Sequence, residues 1–492
     1  MNISYKWLLE YLPCTLSPQE IADTLTSIGL ETGGVEEIET IRGGLRGLVI
    51  GHVLTCEEHP NSDHLHITTV DVGADAPLQI VCGAPNVAAG QKVVVATVGT
   101  TLYHGEEEFA IKKSKIRGVE SFGMICSEVE IGVGSSNDGI IVLPSDAPVG
   151  MPAAEYYHVE SDYCIEVDIT PNRVDATSHY GVARDLAASL KRNGVPAELK
   201  LPEVNLPTDI IDSRIEVKVA DATACPRYQG LVIRDITVGE SPEWLRNRLQ
   251  AIGLRPINNI VDITNYVLHE FGQPLHAFDL AFIKEDRVHV QTVAEGTPFV
   301  TLDGVERKLT AEDLMICDSN GDPMCVAGVF GGLHSGVTEK TKDVFLESAN
   351  FNSTMVRRTA RRLGLNTDSS FRFERGLDPE RTDWALRRAV SLILEITGGR
   401  LGGMTDVYPN PLKPHQICLS FEKVNSVIGR TIEPETVRSI LDSLEIRISK
   451  EEDGVMTLEV PRYRTDVTRD VDVIEEIMRI YGYNQVELTG YI

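Results

Sequence analysis

The order of polar and apolar positions near residue 470 predicts an amphipathic helix. The stretch TDVTRDVDVIEEIMRIYGY covers residues 465–483. At about 100° per residue, three carboxylates share one face of this helix, namely Asp472, Glu475 and Glu476. The opposite face carries apolar side chains that we expect to be buried, namely Ile474, Ile477, Met478 and Tyr481.

Spacing alone leaves two interpretations of the acidic face open. With Asp466 just before the helix, the carboxylates offer the oxygen ligands that a hard cation such as Mg²⁺ prefers. Alternatively, the face is solvated, and Arg479 pairs with Glu475 at i,i+4.

The first 40 residues have a helical pattern. Ser17 and Glu20 form a capping box with Pro18 at the first helical position, and Gly29 marks the end of the helix. We therefore predict that residues 1–40 are mainly helical.

The pattern changes along the rest of the chain. Residues 42–150 alternate short β-rich runs with Gly, Pro and Asn turns, which is typical of a small barrel. A helix is predicted again at 177–193. Proline-bearing stretches at 195–209 and 409–414 indicate linkers, and residues 210–400 between them mix strands and helices.

Length and composition bound the class of protein. A chain of 492 residues suggests three or four domains. It has no apolar run near 18 residues and no signal-peptide pattern, so we expect no membrane association. Nine scattered cysteines without a CxxC pair predict reduced thiols and a cytoplasmic protein.

The net charge of −27 argues against a nucleic-acid-binding surface over the whole molecule. A polyanion would need a local basic patch, and the two candidates are IKKSKIRG (111–118) and VRRTARRLG (356–364). The alternative for the first patch is a solvated strand edge, where lysines discourage aggregation.

Three motifs in the β-rich segment resemble the tRNA-binding OB domain of several tRNA-handling proteins. They are HPNSDHL, IVCGAPN and KIRGVESFGMICSE, in that order. The resemblance implies electrostatic binding of a tRNA backbone, with little sequence readout, by Lys112, Lys113, Lys115 and Arg117.

Longer motifs resemble the bacterial phenylalanyl-tRNA synthetase β-subunit family. Its editing domain is matched by residues 256–279, 326–339, 345–351 and 361–379. VPRYRTDVTRDVDVIEEIMRIYGY resembles its B5 domain, and ITPNRVDATSHYGVARDLA its N-terminal domain. The resemblance extends over essentially the whole chain.

The fold class that the resemblance implies is multidomain α+β. An OB-type β-barrel at 41–150 would be inserted in an N-terminal α+β domain made of 1–40 plus 151–200. An α/β editing domain (B3/B4) at 210–400 and a small α+β B5 domain at 408–486 would follow. Members of the family continue beyond B5, so we expect this chain to be a fragment.

In that family the α subunit uses ATP to attach phenylalanine, and the β subunit hydrolyses mischarged Tyr-tRNA(Phe). The assembly is a cytoplasmic α2β2 heterotetramer. Proofreading is needed because a hydrophobic pocket rejects an added hydroxyl only about 10²-fold. By resemblance, Glu347 accepts a hydrogen bond from the tyrosine phenol, and His276 lies near the 3′-terminal ribose and ester. The implied site also contains Thr264, Asn265, Pro274, Gly331 and Thr367.

Two further expectations follow from the resemblance, and one alternative function stays open. Family members usually read TDAS where this chain reads TDSS, so Ser369 adds a hydroxyl beside the site. A Mg²⁺ ion shared with the α subunit would use Asp466, Asp472, Glu475 and Glu476, and we expect it to be absent from the isolated chain. The alternative function is a non-enzymatic tRNA-docking scaffold with a vestigial pocket.

Overall fold

The computed structural model describes residues 1–104, 107–134 and 136–486, and it divides the chain into two compact units. One unit runs from residue 37 to 162, and the other combines residues 1–36 with the chain from 163 onward. The four predicted domains are a finer division than this one, and their boundaries stay a prediction.

The chain begins with two strands and two helices: β1 (Asn2–Ser4), α1 (Tyr5–Tyr11), α2 (Pro18–Ser27) and β2 (Thr32–Glu39). The capping box of α2 is confirmed, because the Ser17 hydroxyl accepts the Glu20 N–H and the Glu20 carboxylate accepts the Ser17 N–H. The prediction that residues 1–40 are mainly helical was wrong at β1 and β2. A local pattern does not reveal these two strands, because both pair with a strand near residue 165.

The unit at 37–162 is rich in short strands, as predicted for 42–150. They are β3 (Leu48–Glu58), β4 (His66–Asp71), β5 (Leu78–Cys82), β6 (Lys92–Thr97), β7 (Thr101–His104), β8 (Glu107–Ala110), β9 (Ser114–Ile116), β10 (Val119–Ser121) and β11 (Gly123–Ile125). Two short helices follow, α3 (Glu128–Ile131) and α4 (Ala153–Tyr156).

Five of these strands form an antiparallel sheet in the order β11-β6-β3-β4-β5. The two ends of the sheet approach each other, because the Phe122 N–H donates to the Gln79 carbonyl at 2.9 Å and the Val81 N–H to the Ser121 hydroxyl at 3.1 Å. The sheet is therefore nearly a barrel. Its assignment as an OB-type barrel stays a prediction.

The chain then returns to the unit that contains residues 1–36. Strand β12 (Ser161–Val167) lies between β1 and β2 in a three-stranded sheet. After a 3₁₀ turn at Val174–Ala176, helix α5 (His179–Arg192) begins where the Ser178 hydroxyl accepts the Gly181 N–H. The predicted helix at 177–193 is confirmed.

The next part of the chain contains eleven strands and five helices. The strands are β13 (Glu216–Val219), β14 (Arg227–Arg234), β15 (Leu275–Asp279), β16 (Arg287–Thr292), β17 (Pro298–Val300), β18 (Glu306–Lys308), β19 (Leu314–Cys317), β20 (Pro323–Val326), β21 (Phe330–Gly331), β22 (Val344–Asn350) and β23 (Arg400–Val407). The helices are α6 (Glu243–Ala251), α7 (Asn259–Phe271), α8 (Ser353–Leu363), α9 (Asp368–Phe373) and α10 (Arg381–Thr397), with 3₁₀ segments at Leu280–Phe282 and Lys284–Asp286.

Two main sheets organise this part: β15-β22-β14-β23 and β13-β16-β19-β20-β21. The first is covered by a hydrophobic core on each face, and β22 shows this clearly. Leu346 packs in the core that includes α7 and α10, whereas Phe345 and Ala349 pack in the core shared with the second sheet. Because side chains alternate along a strand, Glu347 lies on the same face as Phe345.

A small α+β segment follows, with β24 (His415–Ser420), α11 (Phe421–Ile428), α12 (Pro434–Ser443), β25 (Arg447–Glu452), β26 (Val455–Val460), α13 (Asp470–Tyr481) and a 3₁₀ segment at Tyr483–Gln485. Its strands pair in the order β24-β26-β25. Its apolar residues join one cluster with those of α5 and α10, which explains why it is not a separate unit. Within the described ranges, no helix has both the length and the apolar character needed to cross a bilayer.

Candidate functional site

A cavity of about 310 Å³ lies beside the sheet that contains β15 and β22. All seven predicted editing-site residues line it: Thr264, Asn265, Pro274, His276, Gly331, Glu347 and Thr367. Five of them lie in α7, β15, β21 and β22, whereas Pro274 precedes β15 and Thr367 is the N-cap of α9. The cavity is therefore built mainly on regular elements. The structure thus brings together positions more than 100 residues apart in the chain.

Glu347 is buried at the cavity wall and is already hydrogen-bonded within the protein. Glu347 is only 5% exposed, and the Tyr228 hydroxyl donates a hydrogen bond to its Oε2 at 2.6 Å. Tyr228 was not among the predicted site residues, because no local motif links it to Glu347. Tyr228 is two residues from Gly230, which pairs with Glu347 across β14 and β22.

Burial is the main influence on the pKa of the Glu347 carboxyl. Loss of water raises the pKa of this carboxyl to about 7, although the hydrogen bond from Tyr228 opposes the rise. The resemblance implied a substrate phenol as the donor to Glu347, but one oxygen already has a donor, Tyr228, within the protein.

His276 lies directly beside Glu347, since the two residues are register partners on β15 and β22. Their Cβ atoms are therefore about 4.5–5.5 Å apart on the same face of the sheet. Burial lowers the pKa of His276 to about 4, so the imidazole is neutral near pH 7. Its Nε2 is buried and has no hydrogen-bond partner among the described residues.

Gly331 gives the imidazole its space. A Cβ at this position would lie 2.9 Å from His276 Cε1, which is closer than real Cβ contacts allow. The backbone of Gly331 does not need a positive φ, so the requirement is one of room rather than of conformation.

The hydroxyl groups at the start of α9 are engaged by backbone. Thr367 caps the helix by accepting the Ser370 N–H at 3.0 Å and donates to the Val329 carbonyl at 2.8 Å. Ser369, the departure from the family pattern, donates to the Gly328 carbonyl at 3.1 Å. Its additional hydroxyl is thus used in holding the cavity wall.

The predicted basic cluster lies on the hairpin of β9 and β10 and the residues before it. Its four members are exposed: Lys112, Lys113, Lys115 and Arg117. Lys113 pairs with Glu120 at 2.9 Å, which reduces its free charge. The Arg117 guanidinium donates to the Asn61 carbonyl at 3.1 Å, and the buried His59 contacts the Ile116 carbonyl at 3.2 Å. His59 is therefore a structural support of this hairpin.

Three family models match the chain. The B3/4 domain matches residues 224–398, the tRNA_bind family of tRNA binding domains matches 48–152, and the tRNA synthetase B5 domain matches 417–483. The phenylalanine–tRNA ligase beta subunit of Porphyromonas gingivalis is 97% identical over all 492 residues, and that of Bacteroides fragilis is 62% identical over 490 residues. The chain belongs to the phenylalanine–tRNA ligase beta-subunit family.

The chain spans 60% of the length of each of these two family members, and they match 100% and 99% of this chain, respectively. A solved N-terminal fragment of the phenylalanyl-tRNA synthetase beta subunit from Pyrococcus horikoshii is 16% identical, with a TM-score of 0.34. The alignment covers 65% of this chain and 87% of the Pyrococcus fragment. This structural similarity is too weak to support an argument.

The predicted acidic helix is α13. Its carboxylates do not form one solvated face. Glu475 is exposed, whereas Glu476 is 4% exposed and accepts hydrogen bonds from Arg464 and Arg479. The predicted pairing of Arg479 with Glu475 was wrong. Arg479 instead binds Glu476 and Asp185, the latter at 2.8 Å.

The other two predicted metal ligands are also occupied. Asp466 accepts two hydrogen bonds from Arg464, both at 3.0 Å. Asp472 accepts the backbone N–H groups of Thr468 and Arg469 and so caps α13.

These residues do not fit a metal centre as they stand. Within the described ranges, no group of three or more His, Cys, Asp or Glu side chains is arranged to hold an ion. The predicted Mg²⁺ at Asp466, Asp472, Glu475 and Glu476 therefore stays a prediction about a complex with a second subunit. Such a site would require the arginines to release their carboxylates.

Proposed function

We propose that the chain hydrolyses the ester of mischarged Tyr-tRNA(Phe) at the cavity that contains Glu347 and His276. The observation that carries the proposal is the combination, in one cavity, of a buried carboxylate and an imidazole Nε2 without a partner. We further propose that it acts with an alpha subunit, which performs the ATP-dependent ligation, in a cytoplasmic α2β2 enzyme.

Glu347 would read the tyrosine hydroxyl. Tyr228 donates to Oε2, so a substrate phenol would use the other carboxylate oxygen, Oε1. A charge-assisted hydrogen bond of this kind contributes roughly 1.5–3 kcal/mol, or about one to two decades of preference for tyrosine. A phenylalanyl ring offers no donor, so it gains nothing at this position.

His276 would act at the ester end of the substrate. A neutral imidazole has one nitrogen that donates and one that accepts, so the free Nε2 can orient the ester oxygen or the attacking water. Positioning of this kind lowers the barrier without a change of charge on the side chain. The depressed pKa of His276, about 4, keeps this state constant at neutral pH.

Single-turnover deacylation of Tyr-tRNA(Phe) and Phe-tRNA(Phe) tests these roles. Glu347→Ala should slow tyrosyl hydrolysis roughly 10- to 100-fold, with phenylalanyl hydrolysis unchanged or slightly raised. His276→Ala should slow both substrates without reversing the preference. Glu306→Ala, an exposed glutamate on β18, is the matched control and should behave as the parent. Equal slowing of both substrates by Glu347→Ala would show that it is not the hydroxyl reader.

We also propose that Lys112, Lys113, Lys115 and Arg117 bind the tRNA backbone. Replacing all four by glutamine should weaken binding and reduce the slope of log K against log salt by roughly 0.7–0.9 per lost contact. The reduction should fall short of four contacts, because Lys113 is already paired with Glu120. The control replaces Lys200, Lys218, Lys340 and Arg447, which are exposed and carry the same total charge. An unchanged slope would identify the cluster as a solvated edge.

A scaffold function without hydrolysis is the second candidate. It is favoured by the bond from Tyr228, which already occupies one oxygen of Glu347. The same deacylation assay decides between them, since a scaffold would leave both aminoacyl-tRNAs intact.

A further inference from the structure

Helix α8 presents a row of arginines on one face. Four of them are exposed, namely Arg357, Arg358, Arg361 and Arg362. At 3.6 residues per turn they lie within an arc of about 140°. The buried residues of the same helix, Val356, Thr359 and Ala360, lie on the other side. This face is strongly positive in a chain whose net charge is −27.

Three of these arginines have no carboxylate within ion-pair distance among the described residues. Arg362 is bound to Asp313, but Arg357, Arg358 and Arg361 are not paired. By contrast, three exposed arginines elsewhere in the chain, Arg287, Arg400 and Arg447, each pair with a carboxylate. The charge of the arginine row is therefore left free for an anion.

The arginine row leads directly to the cavity. Helix α8 ends at Gly364 in a left-handed conformation, with φ of 66°. The Leu365 N–H returns to the Ala360 carbonyl at 2.9 Å, which holds the turn closed. Thr367 and Ser369 then line the cavity as part of α9. The free charges thus lie on the element that continues into the cavity wall.

The positive charge of the arginine row is least compensated at Arg357 and Arg361. Arg358 borders a groove that also carries the exposed Glu295 and Glu312, so its charge is partly countered. On the other side, burial lowers the pKa of Arg375, and the nearby Arg357 charge adds to this effect.

We propose that the arginine row binds the phosphate backbone of the RNA strand whose aminoacylated 3′ end enters the cavity. The proposal rests on the proposed function and extends it by naming where the strand runs. Guanidinium groups bind phosphate oxygens with two parallel hydrogen bonds, and such contacts position a nucleic acid without reading its sequence. One helix would then set the direction of the strand and part of the cavity wall.

The test is the variant Arg357→Gln/Arg358→Gln/Arg361→Gln, measured with two substrates. With Tyr-tRNA(Phe), the concentration for half-maximal single-turnover deacylation should rise at least tenfold at low salt. The slope of log K against log salt for tRNA(Phe) should decrease in magnitude by about 2, because each of the three lost phosphate contacts contributes roughly 0.7. With 3′-O-tyrosyl-adenosine, which has no backbone phosphate, the hydrolysis rate should equal that of the parent.

The matched control is Arg287→Gln/Arg400→Gln/Arg447→Gln, which removes the same charge from exposed positions. It should leave the slope unchanged. The lysine variant at positions 357, 358 and 361 should restore most of the slope, since the slope depends on charge. An unchanged slope with normal hydrolysis of tyrosyl-adenosine would contradict this inference alone. Failure of the parent to hydrolyse tyrosyl-adenosine would instead contradict the proposed function.

Discussion

Two glutamates of this chain are equally buried but have opposite surroundings. Glu347 is 5% exposed and Glu476 is 4% exposed. Glu347 has a phenol as its donor, and burial raises its pKa to about 7. Burial alone would also raise the pKa of Glu476, but the charges of Arg479 and Arg464 more than offset it and hold this pKa well below its usual range.

The difference shows that burial by itself does not decide what a carboxylate does. Glu476 is neutralised by fixed cations and joins α13 to α5 through Arg479 and Asp185. Glu347 has no cation beside it among its described partners, so it retains the capacity to gain a hydrogen bond from a ligand. The first therefore contributes to stability, and the second is suited to the recognition role proposed above.

The largest expected effect concerns the neutralised glutamate. Arg479→Met should lower the free energy of unfolding by about 3–5 kcal/mol, because it leaves Glu476 and Asp185 buried with less compensation. Arg447→Met, which breaks an exposed pair with Glu459, should cost less than about 1 kcal/mol. Urea denaturation at pH 7.5 measures both, and similar losses in the two variants would contradict the distinction.

The second effect is a pH dependence that Glu347 contributes and Glu476 does not. A carboxyl whose folded pKa lies above its ordinary value binds more protons when folded, so the contribution of Glu347 to stability is lost as the pH rises from about 4.5 to 7. This contribution is roughly 3 kcal/mol, so the stability of the parent relative to Glu347→Gln should fall by nearly that amount across this range. Denaturation at pH 5 and pH 8 gives the comparison. Glu476→Gln is the control, and its deficit should be the same at both pH values because Glu476 stays ionised there.

The third effect concerns Tyr228, whose phenol is the donor to Glu347 where Glu476 has arginines instead. Tyr228→Phe should cost roughly 1.5–3 kcal/mol at pH 8, where it removes a bond to an ionised carboxylate. The cost at pH 5 should be smaller, because the carboxyl is then neutral. A cost that is the same at both pH values would mean that Glu347 does not change its charge in this range.

The smallest effect concerns Asp472, a partly exposed carboxylate in the first turn of α13. Asp472→Ala should cost about 1 kcal/mol, as expected for a helix cap. Glu475→Ala, at an exposed position one turn later, should change stability by less than about 0.5 kcal/mol. A loss above about 3 kcal/mol for Asp472→Ala would place this residue in the buried ionic network instead.

Local features of the fold were predictable because their causes are local. The capping box of α2 involves residues three positions apart, and the start of α5 depends on Ser178 and the residues that follow it. The cavity residues were predicted by resemblance rather than by pattern, and the structure brings all seven together. Their roles in hydrolysis and the metal site remain predictions.

The partners of buried charges were not predictable in the same way. Arg479 has Glu475 within reach along its own helix, yet it binds Asp185, which lies 294 positions earlier. Tyr228 donates to Glu347 across 119 positions, and only the register of β14 against β22 makes them neighbours.

The sequence by itself determined the helices with local caps, the β-rich segment, the basic stretches and the family. The tertiary structure alone decided which carboxylates are neutralised, which one stays available, and which arginines remain unpaired. The physical reason is that caps and periodicity act over a few residues, whereas burial and ion pairing depend on which distant segments the core packs together.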